Sequence, residues 1–256
     1  MHMSNHKRRT VLRSVGGVAV VGALAGCLNG SEDDADDNGD TDVDEEADGS
    51  EEPELDANLR VAHLSPDAPN VDVYVDGDAV LEDVPYRAVS DYLEIPAGEY
   101  AVMITAAGDM ETVVFDEELE VPAGEFTVAA VGELADENQP FAVEVYEDDV
   151  SDPGDNARVR LVHAAPDAPN VDVTVDGEPL FEDVPFGAAG AVEVPADSYE
   201  LEVRPATDDN DGDVVATFDL EPAAGVVYTG FAVGYLDPEA APADEPFDLE
   251  VVVDAE

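Results

Sequence analysis

Lysine and cysteine are almost absent from this sequence of 256 residues, and tryptophan is missing altogether. The 64 acidic residues face only nine basic ones, and four of the nine lie within the first thirteen positions. After Cys27 the chain has five arginines, no lysine and all 64 acids, a formal charge of −59. Such a chain lacks the basic surface that a phosphate backbone requires, so nucleic acid is excluded as a partner.

The lack of cysteine excludes two further features. Cys27 is the only cysteine of the chain, so no disulfide can form within it. If Cys27 carries a lipid, the mature chain also has no free thiol for catalysis.

The large excess of negative charge indicates that the protein functions in concentrated salt. A domain with this charge repels itself in dilute buffer, whereas in molar salt the screening length falls to about 3 Å and the repulsion is largely removed. The composition resembles that of halophilic archaeal proteins, in which carboxylates replace lysine at the surface. Hydrophobic residues still make up 45% of the sequence, enough for a folded core.

The N-terminus predicts export. A basic stretch with Arg8 and Arg9 precedes an apolar run of about a dozen residues, which suits a signal peptide and is short for a membrane span. "RRTVLR" resembles a twin-arginine translocation signal, and "LAGC" resembles a lipobox that makes Cys27 the lipidated N-terminus. We therefore expect a signal peptide over 1–27 and a mature protein held by the lipid at the outer face of the cytoplasmic membrane. An uncleaved N-terminal anchor is the alternative.

The next segment, 28–57, predicts a disordered stalk. Acids alternate with small residues in "SEDDADDNGDTDVDEEADGSEEPELD", and almost nothing there can be buried.

The rest of the chain is a tandem duplication. The segment 60–86 aligns without a gap to 160–186, with 17 of 27 positions identical, and "PDAPNVDV" occurs in both copies. This predicts domain 1 over 58–148, a hinge over 149–156 and domain 2 over 157–256. Because two copies are too few for a solenoid, we expect each copy to fold by itself.

Each copy has the period of a β-strand. Val71, Val73 and Val75 alternate with polar or aromatic residues, and Asp76-Gly77 then favours a hairpin. Further strands are predicted around 91–95, 99–105, 112–120, 125–132 and 141–147. The chain is therefore predicted to be all-β, with two tandem antiparallel β-sandwich domains of Ig-like or Greek-key type.

Proline-containing turns support this fold. "LEIPAGEY", "LEVPAGEF" and "VEVPADSY" place a turn between two strands and an aromatic residue shortly after it. The arrangement resembles the tyrosine corner of Greek-key sandwiches, in which an aromatic side chain fixes the crossing between sheets.

The repeated segments also resemble a known family. "RVAHLSPDAPNVDVYVDG" and "RLVHAAPDAPNVDVTVDG" are similar to the opening signature of domain of unknown function 4397, found in exported bacterial and archaeal proteins. The resemblance covers both copies and implies no catalytic residue, cofactor or ligand.

The sequence also contains residues for nucleophilic catalysis and for calcium binding. His63 lies two residues from Ser65, so a nucleophile and its base could share one strand face, but the second copy has Ala165 at the serine position and no G-x-S-x-G motif occurs. The loop "TDDNDGD" (207–213) offers oxygen ligands for calcium, yet it departs from the EF-hand pattern, with Thr207 first and Phe218 twelfth. We expect no catalytic residues, no cofactor and no metal site, and we expect each histidine to be partly buried and hydrogen-bonded.

The repeated "PDAP" is a candidate site in each copy. Proline cannot donate to a β-ladder, so the segment predicts a rigid corner between a strand that ends near His63 and one that begins near Val71. One hypothesis makes the corners structural, with Asp67 and Asn70 capping backbone groups. The other makes them paired binding sites, which would consist of His63, Asp67, Asn70, His163, Asp167 and Asn170.

Together these features predict a lipid-anchored surface module for binding, adhesion or envelope structure. Its expected partners are the membrane, through the lipid on Cys27, and an envelope protein or polysaccharide. The alternative is an extracellular hydrolase or metal-dependent enzyme that acts on envelope polymers.

Overall fold

The computed structural model describes residues 56–256, which lie within one compact unit, Ser50–Glu256. The predicted export residues Arg8 and Arg9, the predicted lipid acceptor Cys27 and nearly all of the predicted stalk lie outside the described residues. Among residues 56–256, no helix has the length and hydropathy of a membrane span.

The described chain is all-β, as predicted, and consists of two sandwiches of eight strands each. The strands of domain 1 are β1 (Asp56–His63), β2 (Val71–Val75), β3 (Asp78–Val84), β4 (Leu93–Pro96), β5 (Gly98–Ala106), β6 (Asp109–Val121), β7 (Gly124–Val131) and β8 (Ala142–Glu147). Those of domain 2 are β9 (Asn156–His163), β10 (Val171–Val175), β11 (Glu178–Val184), β12 (Ala189–Pro195), β13 (Tyr199–Pro205), β14 (Ala216–Leu220), β15 (Val227–Val233) and β16 (Asp248–Ala255). β1 begins two residues before the predicted start of domain 1.

Each domain contains an outer and an inner four-stranded sheet. The outer sheets have the orders β3-β2-β5-β6 and β11-β10-β13-β14, and the inner sheets have the orders β4-β1-β7-β8 and β12-β9-β15-β16. The pairs are antiparallel except for β1 with β7 and β9 with β15, which are parallel. The sequence did not predict this parallel pair, because strand direction depends on which strand becomes the neighbour in the sheet.

The proline turns lie where the chain changes sheets. Pro96 ends β4 in the inner sheet, and β5 begins at Gly98 in the outer sheet. The Tyr100 hydroxyl donates to the Pro96 carbonyl oxygen at 2.5 Å, and the Tyr199 hydroxyl donates to the Pro195 carbonyl oxygen at 2.8 Å. The predicted aromatic pin at the crossing is therefore present in both domains.

The predicted hairpin is also present in both copies. Asp76 and Asp176 have φ of 51°, and Gly77 and Gly177 follow with φ of 86° and 80°. Two successive residues with positive φ are what a tight type I′ turn requires.

The predicted solvent-facing side of β2 is buried. Val71 and Val73 face the core as predicted, but Asp72 and Tyr74 on the opposite face of β2 are only 5% and 9% exposed. The Asp72 carboxylate accepts hydrogen bonds from the backbone N–H groups of Asp83 and Gly108, both at 2.8 Å. These bonds lower the pKa of Asp72, with the Gly108 bond the larger cause. A buried acid with both oxygens satisfied can occupy what the sequence pattern marks as a solvent-facing position.

The two domains pack against each other through their inner sheets. A buried cluster joins Ala62, Ala129 and Tyr146 of domain 1 to Val162 and Phe231 of domain 2. The four sheets therefore stack in the order outer, inner, inner, outer. Sequence reasoning did not predict this contact between the copies.

Candidate functional site

The "PDAP" corner connects β1 to β2 at the edge of each sandwich. The strands end at His63 and resume at Val71, as the prolines predicted. The His63 Nε2 lies 3.0 Å from the Pro69 carbonyl oxygen, and the His163 Nε2 lies 3.1 Å from that of Pro169. Each histidine thus holds its own corner against the strand that precedes it.

Both histidines are fully buried, more deeply than the partial burial that the sequence predicted. Desolvation lowers the pKa of each ring below its ordinary value. A neutral ring has one donor and one acceptor nitrogen, so Nε2 donates to the proline carbonyl and Nδ1 accepts. The His163 Nδ1 accepts from the Ala165 backbone N–H at 3.4 Å, whereas the His63 Nδ1 has no partner among the described residues.

Asp67 reaches much further along the chain than its own turn. Its two carboxylate oxygens accept the backbone N–H groups of Leu134 and Ala135, both at 2.8 Å. Asp167 makes the equivalent pair of bonds to Leu236 and Asp237 at 2.9 Å. The corner aspartate therefore fixes the loop that follows β7 or β15.

Asn70 and Asn170 bond within the outer hairpin. Their side-chain amides donate to Asp83 and Asp183 at 2.7 and 2.8 Å, at exposed positions. The six candidate residues thus make structural hydrogen bonds in both copies, which fits the structural hypothesis.

The nucleophile and base of the hydrolase hypothesis are not bonded to each other. Ser65 is fully buried, and its hydroxyl donates to the Gly132 carbonyl oxygen at 2.7 Å. The neighbouring His63 directs Nε2 to Pro69 instead. In this arrangement neither side chain is exposed to a substrate from solvent.

The acidic loop 207–213 makes hydrogen bonds within itself and to neighbouring segments of domain 2. The Thr207 hydroxyl donates to Asp211 at 3.1 Å, and the Asn210 amide donates to Glu182 at 3.0 Å. Within the described part of the chain, no group of three or more His, Cys, Asp or Glu side chains is placed to hold a metal ion.

The most densely connected polar group lies between the two inner sheets. Arg60 donates to Thr127 of its own domain and to Asp254 of domain 2, both at 2.8 Å. Arg160 mirrors it by donating to Thr229 at 2.9 Å and to Asp148 of domain 1 at 2.5 Å. We call these six residues, Arg60, Thr127, Asp148, Arg160, Thr229 and Asp254, the arginine exchange.

The arginine exchange is sealed from solvent. The side chains of Arg60 and Asp254 are 3% and 2% exposed, and those of Arg160 and Asp148 are 8% and 1% exposed. Tyr92 adds to it, because its hydroxyl donates to Asp148 at 2.6 Å and its ring lies under the Arg60 guanidinium. Desolvation is the main cause that raises the pKa of Tyr92, so the phenol remains a donor. The exact repetition of Arg at positions 60 and 160 was visible in the alignment, but nothing in it indicated that each would bind the other copy.

Two further arginines act at the domain junction. Arg87 of domain 1 donates to Asp248 at 2.7 Å and to the Pro246 carbonyl oxygen at 3.1 Å, both in domain 2. Arg158 donates to the carbonyl oxygens of Asp149 and Ser151, inside the segment predicted as a hinge. Four of the five arginines after Cys27 therefore join the domains or fix the segment between them.

Both copies match the model of one protein family. The model of the domain of unknown function DUF4397 matches residues 57–174 and again 157–254. The chain belongs to this family. No curated protein matches the chain.

Solved structures show only distant likeness to this DUF4397 protein. A family 26 carbohydrate-binding module of Amy13K from Eubacterium rectale, in complex with maltoheptaose, is 10% identical over 79% of this chain and 98% of that one, with a TM-score of 0.25. The Bacillus anthracis TIE protein is 13% identical over 71% and 34%, with a TM-score of 0.23. A candidate cell adhesion protein of Bacteroides fragilis is 9% identical over 77% and 97%, with a TM-score of 0.19. At these TM-scores the likenesses carry no argument about function.

A shallow, open groove on the second DUF4397 domain is lined by apolar side chains, while polar atoms form nearly half of its wall. It has a volume of about 500 Å³ and lies between the start of β14 and the loop between β15 and β16. Val215, which is 44% exposed, Leu236, Pro238 and Phe247 line it. Tyr235 also lines it, is fully buried, and has a hydroxyl without a hydrogen-bond partner among the described residues. We call this feature the domain 2 groove.

Proposed function

We propose that this DUF4397 chain is an exported, lipid-anchored surface protein that binds a component of the cell envelope. Its tandem domains form one compact head, and the acidic segment before β1 is the stalk that connects the head to the lipid on Cys27. The order of these segments along the chain supports this proposal, because it places the head outside the membrane that holds the anchor. The partner is an envelope protein or polysaccharide.

The observation that carries the proposal is the domain 2 groove. On a mature chain with a formal charge of −59, the groove gathers apolar side chains at one place on the surface. Exposed apolar patches with a polar rim are typical of contact surfaces. Val215, which lines the groove, and its neighbour Val214 are 44% and 41% exposed.

Capture from envelope extract tests the groove. Immobilised Ser50–Glu256 in molar salt should retain a specific component, and Val215→Asp should abolish its retention by placing a charge in the groove. Val253→Asp is the matched control, because Val253 is 51% exposed on β16 and does not line the groove. Equal capture by the two variants would contradict the proposed surface.

Treatment of the extract identifies the partner's chemistry. Loss of capture after protease digestion indicates a protein, and loss after periodate oxidation indicates a polysaccharide. If no component is retained by the unchanged head in either case, the proposed binding function is wrong.

The anchor has its own test. Cys27→Ser should leave the precursor uncleaved or release the protein into the medium, because a lipobox requires the cysteine thiol. Unchanged membrane retention together with unchanged mobility on a gel would contradict lipid anchoring.

A further inference from the structure

The core of domain 1 contains a cavity that the core of domain 2 largely lacks. The cavity lies between the two sheets of domain 1 and has a volume of about 100 Å³, against about 30 Å³ for its counterpart in domain 2. Val61, Val73, Val102, Ile104 and Val128 are among its lining residues. Two copies of one fold therefore fill their cores to different extents.

Several substitutions give domain 2 the larger core side chain, including Val61 to Leu161 and Val143 to Leu249 on the inner sheets. Leu81 pairs with Val73 on β2, and the larger Phe181 pairs with Val173 on β10. Val102 and Leu201 are likewise equivalent, because they pair with Val75 and Val175.

A further substitution lies on the edge strands β6 and β14. Glu117 is opposite Val102 on β6, whereas Phe218 is opposite Leu201 on β14. Glu117 is exposed, but Phe218 packs against Phe247 with ring centroids 6.1 Å apart. Domain 2 therefore closes its core with an aromatic pair at a place where domain 1 has a surface acid.

At other positions the side chain of domain 1 is larger than its counterpart in domain 2, yet the cavity of domain 1 remains. Val128 and Ile104 of domain 1 are larger than their counterparts Gly230 and Val203. Phe115 of domain 1 is likewise larger than its counterpart Ala216, and the domain 1 cavity nevertheless stays the larger one.

The cavity is suited to an apolar guest and has an entrance. Its walls are almost wholly apolar, and apolar cavities stay dry because water finds no hydrogen-bond partners in them. Val80 and Leu93, which are 43% and 37% exposed, line it where it meets the surface. An empty cavity of this kind destabilises a domain, and a guest that fills it restores the lost packing contacts.

We propose that domain 1 binds the end of a short aliphatic chain in this cavity and that domain 2 does not. A cavity of about 150 Å³ accommodates benzene, so one of 100 Å³ suits about four to five carbons. His63 also lines this cavity and is fully buried. The site is separate from the domain 2 groove, so the two proposals can fail independently.

Methyl NMR of Ser50–Glu256 in molar salt tests this proposal with 1-pentanol as the probe. We expect saturable shifts at the methyl groups of Val61, Val73 and Val102, and no saturable shift at their domain 2 counterparts Leu161, Val173 and Leu201. The second copy thus serves as the control within the same molecule. Equal shifts in both domains, or no saturation in domain 1, would overturn the proposal.

Core variants separate filling of the cavity from other effects. Val102→Leu copies the domain 2 residue at a position that lines the cavity and should weaken 1-pentanol binding at least tenfold. If that variant does not fold, Val61→Leu fills part of the same volume, and Phe181→Leu should create binding in domain 2. Binding unchanged by all three core variants would exclude this cavity as the site.

Discussion

At the scale of single residues, the repeated corner is explained by hydrogen bonds that it makes to the rest of its own domain. His63 holds the corner through Pro69, and Asp67 holds the loop after β7 through two backbone N–H groups. The sequence predicted capping by Asp67 but not its target, because Leu134 and Ala135 are 67 and 68 residues away. Short-range patterns identify the kind of bond a residue makes, whereas its long-range partner depends on the topology.

Removal of the Asp67 carboxylate should therefore cost more stability than removal of the neighbouring amide. Asp67→Ala should lower the free energy of unfolding by about 1 to 2 kcal/mol, because it leaves two loop N–H groups without their acceptor. Asn70→Ala should change it by less than about 0.5 kcal/mol, since the Asn70 bond is exposed. Chemical denaturation in molar salt measures both values. Full stability of Asp67→Ala with loss of envelope capture would show that the corner is a recognition site.

The buried histidines predict a pH dependence. Burial lowers the pKa of His63 and His163, so in the unfolded chain they take up protons near pH 6.5 while in the folded chain they stay neutral. The unfolded state then binds more protons, and the free energy of unfolding falls as the pH drops below about 6.5.

Denaturation curves at about pH 7.5 and about pH 5.5 test this dependence. The unchanged protein should lose more stability between the two values than His63→Gln combined with His163→Gln. The carboxylates are the same in both proteins, so the difference isolates the histidines. An identical loss in both would refute neutral burial.

At the scale of elements, the strands and crossings were predictable and the direction of their pairing was not. Every strand predicted in domain 1 is present within a few residues, because alternating valines and proline turns act locally. The Tyr100 and Tyr199 corners were likewise readable from the sequence. The burial of Asp72 and the parallel pair of β1 with β7 were not, because they arise from neighbours far along the chain.

The bend after β7 depends on a glycine for two reasons. Gly132 has a φ of 78°, and a Cβ there would lie 2.2 Å from the Pro140 carbonyl oxygen. Gly77 has a φ of 86° but no atom within 4 Å of such a Cβ. Gly77→Ala should therefore cost about 1 to 2 kcal/mol of stability through the backbone alone.

Gly132→Ala should cost clearly more than Gly77→Ala, because strain and a backbone collision act together. Guanidinium denaturation of both variants in one buffer makes the comparison. Equal losses would mean that the backbone at Pro140 moves aside, which would contradict a rigid bend at Gly132.

At the scale of the whole molecule, the few cations left in an acidic chain are concentrated at one interface. Arg60, Arg160 and Arg87 each bind an aspartate of the other domain. Composition alone showed how rare arginine is but could not show where it would lie. The domains were predicted as separate folding units, and the structure adds a shared apolar and ionic interface between them.

Disruption of the arginine exchange should lower the free energy of unfolding strongly. Arg60→Ala should lower the free energy of unfolding by about 3 to 5 kcal/mol, because it leaves Asp254 charged and buried without its partner. Arg204→Ala is the matched control, since its pair with Glu202 is more exposed and should contribute about 1 kcal/mol or less. Denaturation in molar salt compares them. A loss for Arg60→Ala no larger than for Arg204→Ala would mean that the exchange does not stabilise the head.

Calorimetry of unchanged Ser50–Glu256 in molar salt tests the central claim that the two domains form one unit. Domains joined by a buried ionic and apolar interface should melt together, in one transition whose calorimetric and van't Hoff enthalpies agree. Domains that merely share a chain should melt separately, with a calorimetric enthalpy about twice the van't Hoff value. A single cooperative transition is the predicted result, and two independent transitions would contradict the fused head.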